Sequence, residues 1–283
     1  MTLHRIVVAV DESDAGRWAA RGGLDLAAKA GAELAVVRAV PMPSGRVLAG
    51  AGAPAVAQPP GVPRLEVERL SRWLAPELPG TGGPRVGLAI TCGVPSIEIC
   101  RYAEESGASL VVLGRKHRSV KTRLLIGDTA DAVARRSRLP CLFVPSGAPP
   151  MRRILAALDG TDRGLEVLVA ANRLATAVGA ELLAVTVEST PSGEPAAGAP
   201  LLARSAVLAQ RLRQTLGRDH PNARLEVRRG SAVEQILAAV EATGADTLAV
   251  GYHRGGPAGI IEARSTGRRL LHAAPGAVLT IPL

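Results

Sequence analysis

Arg5-Ile6-Val7-Val8-Ala9-Val10-Asp11 and Arg153-Ile154-Leu155-Ala156-Ala157-Leu158-Asp159 are one pattern written twice, 148 positions apart. Each is an arginine, an unbroken apolar run and a closing aspartate. An apolar run of this kind, without polar alternation, marks a strand covered on both faces. Such strands belong to parallel sheets packed between helices. The repetition extends outward. Gly31-Ala32-Glu33-Leu34 matches Gly179-Ala180-Glu181-Leu182 at the same spacing. Gly93, Gly107-Ala108 and Leu113-Gly114 match Gly230, Gly244-Ala245 and Val250-Gly251 at a spacing of 137. The drop from 148 to 137 places 11 extra residues between the second and third strands of the first copy. Self-similarity over this length marks a tandem duplication.

Each copy reads as strand, helix, strand, loop, and then three further strands separated by helices. The first strands are His4–Val10 and Arg152–Leu158. The first helices are Ser13–Ala30 and Arg163–Val178, and the second strands Glu33–Ala39 and Glu181–Val187. Second helices are expected at Arg64–Leu78 and Leu201–Leu216, and third strands at Arg85–Thr91 and Arg224–Arg228. Third helices follow at Pro95–Ser106 and Ala232–Thr243. The fourth strands are Leu110–Leu113 and Thr247–Val250. A short helix then leads to the fifth strands, Cys141–Val144 and Ala277–Ile281. Pro41 to Pro63 and Ser189 to Pro200 are rich in Pro, Gly and Ala without periodicity, and read as loops. Ser146-Gly147-Ala148-Pro149-Pro150 reads as a linker, dividing the chain into domains 1–147 and 148–283. Right-handed crossovers then favour, in each domain, a doubly wound three-layer α/β/α sandwich. Ligands of such a fold sit beyond the carboxyl ends of the strands, near the point where strand order reverses. The loops after Asp11, Asp159, Gly114 and Gly251 all lie at that end.

Composition narrows the function classes. The chain has 283 residues, of which 47% are hydrophobic and only 2% aromatic. The core is therefore built from Ala, Val and Leu, and few rings are present to stack nucleic-acid bases. The net charge of +9 is spread over both copies. It reads either as affinity for an anionic partner or as a compositional bias toward arginine. Cys92, Cys100 and Cys141 form no Cys-x-x-Cys pair and read as buried free thiols, so no metal site is expected. The start of the chain reads as a strand with no signal peptide, and no apolar run reaches membrane-spanning length. A soluble cytoplasmic protein with no membrane partner is the expectation.

In both copies the fourth strand runs into a glycine, Gly114 or Gly251. A helix starts 13 residues later, at Gly127-Asp128-Thr129 or Arg264-Ser265-Thr266. A glycine after a strand admits a phosphate close to the backbone, and a helix start capped by a hydroxyl supplies N–H donors and positive dipole. This spacing resembles the phosphate loop of the universal stress protein family, Gly-x-x-Gly-x9-Gly-[Ser/Thr]. Together with the first-strand aspartate and the element order, the resemblance covers nearly the whole chain twice. It implies a five-stranded parallel sheet of order 3-2-1-4-5, an adenine-nucleotide α-hydrolase-like fold, and pairing through the fifth strands. Two fused copies can satisfy that pairing within one chain as an intramolecular pseudo-dimer, with a homodimer as a further option. It also implies a cytoplasmic stress-response regulator that, where its loops are intact, binds ATP or another adenine nucleotide.

Both loops depart from the family pattern. In the first copy the motif positions are Gly114, His117, Gly127 and Asp128. Asp128 reads as a helix cap that repels phosphate, and Thr129 is a substitute hydroxyl one position late. In the second copy they are Gly251, Arg254, Arg264 and Ser265, followed by Thr266. Two glycines are lost, but the hydroxyl is kept and two arginines stand ready for phosphate. The position of the family's adenine contact is Ala39 in the first copy and Val187 in the second. Asp11 and Asp159 correspond to the family's acidic residue beside the nucleoside, and also read as caps of the next helix. The second copy is the better nucleotide candidate.

The remaining chemistry is thin. Arg115-Lys116-His117-Arg118-Ser119-Val120-Lys121-Thr122-Arg123 holds two of the three lysines. It reads as a phosphate clamp, as a contact for nucleic-acid backbone or an acidic protein, or as a solvated loop. No helix-turn-helix or zinc-finger pattern accompanies it, so sequence-specific nucleic-acid binding is not expected. Of the histidines, only His117 and His253 fall near the presumed site, with an approach of His253 to Asp159 geometrically open. No hydrolase motif surrounds them, so no catalytic residue is assigned and the chain is not expected to be an enzyme. The leading expectation is a tandem regulator acting by binding. The alternatives are an interaction module for an unknown protein partner that binds no nucleotide, and a slow ATP hydrolase.

Overall fold

Ile6, Val7 and Val8 are wholly buried, as are Val36, Val37, Val111 and Val112, because helices cover these strands on both faces. The structure is a computed structural model that describes residues 3–40, 64–78, 83–115, 127–148, 151–188, 208–212, 214, 216, 224–253 and 265–283. The expected loops at Pro41–Pro63 and Ser189–Pro200 lie outside the described residues. So do His117, Arg254, Arg264, the stretch from Lys116 to Arg123, and the linker's Pro149 and Pro150.

The chain divides into two compact units, Met1–Ala148 and Pro149–Leu283. The first contains β1 (Arg5–Ala9), α1 (Asp14–Ala30), β2 (Glu33–Val40), α2 (Arg64–Leu74), β3 (Val86–Cys92), α3 (Pro95–Glu105), β4 (Leu110–Arg115), α4 (Asp128–Arg136) and β5 (Cys141–Pro145). Its strands lie in the order β3-β2-β1-β4-β5, and every pairing is parallel. The second contains β6 (Arg153–Leu158), α5 (Asp162–Val178), β7 (Glu181–Glu188), β8 (Leu225–Arg229), α6 (Ala232–Thr243), β9 (Thr247–Tyr252), α7 (Thr266–Ala273) and β10 (Ala277–Pro282). Its order is β8-β7-β6-β9-β10, again all parallel. Between β7 and β8, residues 208–212 are helical, and Leu208, Leu212 and Leu216 bury one face.

Strand order reverses between β1 and β4, and between β6 and β9. In the first unit α1 packs with the turn that ends α2, while α3 packs with α4. Right-handed crossovers put these two pairs on opposite faces. The opposite end of each sheet is tied by one arginine. Arg5 donates to Glu33 Oε2 from Nη2 at 2.7 Å and to the Ser106 carbonyl. Arg153 donates to Glu181 Oε2 from Nε at 2.7 Å and to the Thr243 carbonyl. Each guanidinium thus joins two strands to the carboxyl end of a helix, where a cation is favoured.

Helix boundaries follow local chemistry. Ser13 and Thr161 are the N-caps of α1 and α5 rather than part of the turns that follow. Gly31 and Gly179 end these helices in the left-handed region, at φ 62° and 70°. The expected single helix Arg64–Leu78 stops at Leu74, where Pro76 tightens the chain into the 3-10 turn Ala75–Glu77.

That turn anchors the first unit. Glu77, with its side chain only 5% exposed, accepts from Arg17 Nη1 at 3.3 Å and from Arg21 Nε and Nη2 at 2.5 and 3.0 Å. Arg17 lies 4.9 Å from the Trp73 ring centroid, and Arg21 5.2 Å from Trp18. The hydrogen bond from Arg21 holds the Glu77 carboxyl below its ordinary value of 4.5. A depressed carboxylate stabilises the fold above its unfolded value, and the contribution is lost as pH falls through its folded one. Glu77→Gln is expected to destabilise the first unit by about 1 kcal/mol at neutral pH. The gap to wild type is expected to close as pH is lowered below 4.5, as read from urea unfolding across pH. A gap independent of pH contradicts this assignment.

Candidate functional site

The carboxyl ends of the central strands carry the same aspartate turn in both units. Asp159 Oδ1 accepts from Thr161 N at 2.9 Å and from Thr161 Oγ1 at 2.7 Å. Thr161 Oγ1 in turn accepts from Gly164 N at 3.3 Å. In the first unit Asp11 Oδ1 accepts from Ser13 N at 3.2 Å and from the Ser13 hydroxyl, and Ser13 Oγ accepts from Gly16 N at 3.2 Å. Each aspartate therefore holds the hydroxyl that starts the next helix. Both are exposed, and among the described residues no hydrogen bond joins Asp159 to His253.

The loop glycines are placed differently from expectation. β4 continues to Arg115 and β9 to Tyr252, so Gly114 and Gly251 lie inside strands, not after them. A Cβ on Gly114 would fall 2.1 Å from the Ala15 carbonyl oxygen. The missing side chain there admits the first turn of α1, not a phosphate. Gly251 is similarly crowded, with Leu283 Cδ1 2.3 Å from the place of a Cβ. Arg115 is wholly buried at the end of β4, and desolvation pulls its guanidinium down to about 10. It is a core residue, and only the remainder of the basic stretch is open to the loop readings.

The helix starts also differ. In the first unit Gly127 is the N-cap of α4, and Asp128 is the first helical residue, without a side-chain cap hydrogen bond. Asp128 and Thr129 are exposed. The expectation that Asp128 caps the helix is thus corrected: the glycine takes the extended backbone, and the carboxylate projects into solvent at the helix start. In the second unit Ser265 is the N-cap of α7, at φ −59° and ψ 123°, and its side chain makes no cap hydrogen bond. Its Oγ is buried and has no hydrogen-bond partner among the described residues. Thr266 is exposed. A Cβ on Gly267 would lie 2.2 Å from the Gly251 carbonyl oxygen, so the first turn of α7 sits directly against the end of β9. This close approach, which motif matching at Gly251 missed, was legible only as a glycine in the first turn of an expected helix.

Ala39 and Val187 are half-buried near the ends of β2 and β7. Beside Ala39, an ion-pair network crosses the first unit. Arg38 Nη1 lies 2.7 Å from both Glu12 Oε1 and Glu66 Oε2, and Arg69 Nη2 lies 2.7 Å from Glu12 Oε2. In the second unit the positions of Glu12 and Arg38 are Gly160 and Thr186. Repeat matching alone shows that substitution but not the contacts it creates.

Cys100 and Cys141 are buried, and Cys92 is half-buried. Burial pushes the first two thiols up to about 11 and about 12, which makes them poor nucleophiles at neutral pH. Among the described residues no cluster of His, Cys, Asp and Glu is arranged to hold a metal. No helix of the described residues is long and apolar enough to cross a membrane.

The model of the universal stress protein family matches residues 2–145 and again residues 150–282. Among solved structures, a universal stress protein from Archaeoglobus fulgidus is similar over 100% of this chain and 99% of its own, with a TM-score of 0.74 at 18% identity. A putative universal stress protein from Pseudomonas aeruginosa is similar over 99% of this chain and 93% of its own, with a TM-score of 0.66 at 14% identity. Among curated proteins, none matches the chain.

Hydroxyl use at the helix starts is directly testable. Thr161→Ala is expected to cost about 1 kcal/mol, the ordinary loss of an N-cap. Ser265→Ala, which removes a buried hydroxyl that makes no cap bond, is expected to cost the ligand-free protein nothing and to stabilise it by up to about 1 kcal/mol. Urea unfolding of both variants reads the difference, and equal losses would show that Ser265 is a structural cap.

Proposed function

The chain belongs to the universal stress protein family, and on that premise we propose that it is a tandem stress-response regulator that works by binding an adenine nucleotide in its second unit, not by turnover. The observation that carries this reading is Ser265. Its hydroxyl is buried at the start of α7 and takes no part in capping that helix. A buried hydroxyl without a partner costs free energy, and a ligand oxygen removes that cost. The first-turn N–H groups of α7 add donors and positive dipole for a phosphate. Gly267 brings that turn against the end of β9, so donors and strand end are held together. The residues that would hold the nucleotide are Ser265 and Thr266 at the phosphates, with Arg254 and Arg264 as flanking cations, and Asp159 and Val187 toward the nucleoside. Asp159 keeps one carboxylate oxygen, Oδ2, outside the turn it stabilises.

The first unit is the structural partner in this reading. Asp128 places negative charge at its helix start, Gly114 serves packing, and its end near Ala39 is crossed by ion pairs. Binding without turnover is part of the proposal, and Asp159 enters it held in its turn through Oδ1.

The test is thermal unfolding with Mg-ATP, AMP and cyclic AMP. A ligand at about 100 times its dissociation constant stabilises the folded state by about 2.7 kcal/mol, a rise of several degrees. The expected result is such a rise with one adenine nucleotide, lost in the double variant Arg254→Ala with Ser265→Ala. No rise with any of the three contradicts the reading and leaves a protein-binding module in its place. Turnover of Mg-ATP above background that Asp159→Ala removes would instead establish the hydrolase.

A further inference from the structure

Glu12 is an unusual residue for its place. Its backbone is left-handed, at φ 59°, and it is the one non-glycine residue so placed among the described residues. Left-handed backbone is unfavourable for a side chain such as glutamate. The matching position in the second unit is Gly160, at φ 76°, so the turn itself needs the conformation and glycine suits it better. Glutamate is nevertheless present, and its carboxylate is used fully. Oε1 lies 2.7 Å from Arg38 on β2, and Oε2 lies 2.7 Å from Arg69 on α2. The side chains of Glu12 and Arg38 are each only 15% exposed. Where the second unit has an ion pair near its own turn, Arg211 with Asp162, the side chains are 42% and 86% exposed. Two guanidinium groups from separate elements thus converge on one carboxylate at the ligand end of the first unit.

We infer that Arg38 and Arg69 form an anion seat and that its occupant is the chain's own Glu12. The carboxylate ties α2 across the ends of β1 and β2. An external anion of the carboxylate or phosphate class enters the first unit there only by displacing it. The geometry has the features of a bound-ligand site: two cations, opposed oxygens of one carboxylate, and low exposure of Glu12 and Arg38, with Arg69, 57% exposed, forming the open rim. Glu66 completes the charge balance from α2, 2.7 Å from Arg38. The inference stands apart from nucleotide binding in the second unit, because its residues all lie in the first.

Amide hydrogen exchange of the full chain tests it, read on peptides covering residues 64–74. The variant is Glu12→Gly, which suits the left-handed backbone and preserves the turn, as Gly160 does. Without phosphate, residues 64–74 are expected to exchange about tenfold faster than in wild type, with β1 and β4 unchanged. Inorganic phosphate is expected to restore protection in the variant and to leave wild type as it was. Adding Arg69→Ala to Glu12→Gly is expected to abolish the restoration. Unchanged exchange in Glu12→Gly overturns the inference. So does faster exchange that phosphate does not reverse, or faster exchange spread evenly over the core strands.

Discussion

A helix can lay its first turn directly against the backbone of a buried parallel strand only where a side chain is missing, and one such contact stands at the carboxyl end of the strands in each unit. In the first unit the missing Cβ of Gly114 lets Ala15 of α1 touch β4. In the second, Gly267 lets α7 touch the carbonyl of Gly251. Packing at this range leaves no space for a methyl group, since interiors are as dense as organic crystals. The contact orients the helix start, the helix start orients its free N–H groups, and those decide whether an anion is welcome. The same constraint explains why so much of the core is alanine. Ala19, Ala20, Ala27, Ala171 and Ala175 are buried on the helices facing the sheets.

Duplication has preserved architecture and relaxed the site. The Asp-x-Ser/Thr turn, the arginine tying the opposite end and the parallel order are the same in both units. What differs is charge. One unit has Glu12, Arg38 and Asp128 where the other has Gly160, Thr186 and Ser265. These exchanges leave the strands intact, because their side chains lie at strand ends and loops, where packing is loosest. One unit thereby fills its helix start and strand ends with charge and ion pairs, and the other keeps at its helix start a buried hydroxyl with no partner among the described residues.

Much of the fold was legible because its signals are local and repeated. The apolar runs at Ile6–Val10 and Ile154–Leu158, with glycines at fixed spacing, are enough to call parallel strands, their order of connection and the duplication. Boundaries slipped where a single residue decides them: Ser13 outside its helix and Asp162 inside its own, Pro76 cutting the second one short, and β4 running on through Gly114. The site was less legible. Gly114 and Arg115 read as loop residues because a glycine beside a basic run usually is one, yet tertiary packing draws both into the sheet. Nothing in a linear pattern reveals that Glu12, Arg38 and Arg69 meet, since they come from a turn, a strand and a helix. The ordinary chemistry of Ser265 was visible, but its lack of a partner among the described residues is a property of three dimensions.

The central claim is that two like folds carry unlike ligand ends, one closed by its own charges and one open. Calorimetric titration of the full chain with the adenine nucleotide that stabilises it most measures this directly through stoichiometry. The account predicts one nucleotide per chain, and none after Ser265→Ala with Arg254→Ala. Two nucleotides per chain, or one that persists in that double variant, would contradict it.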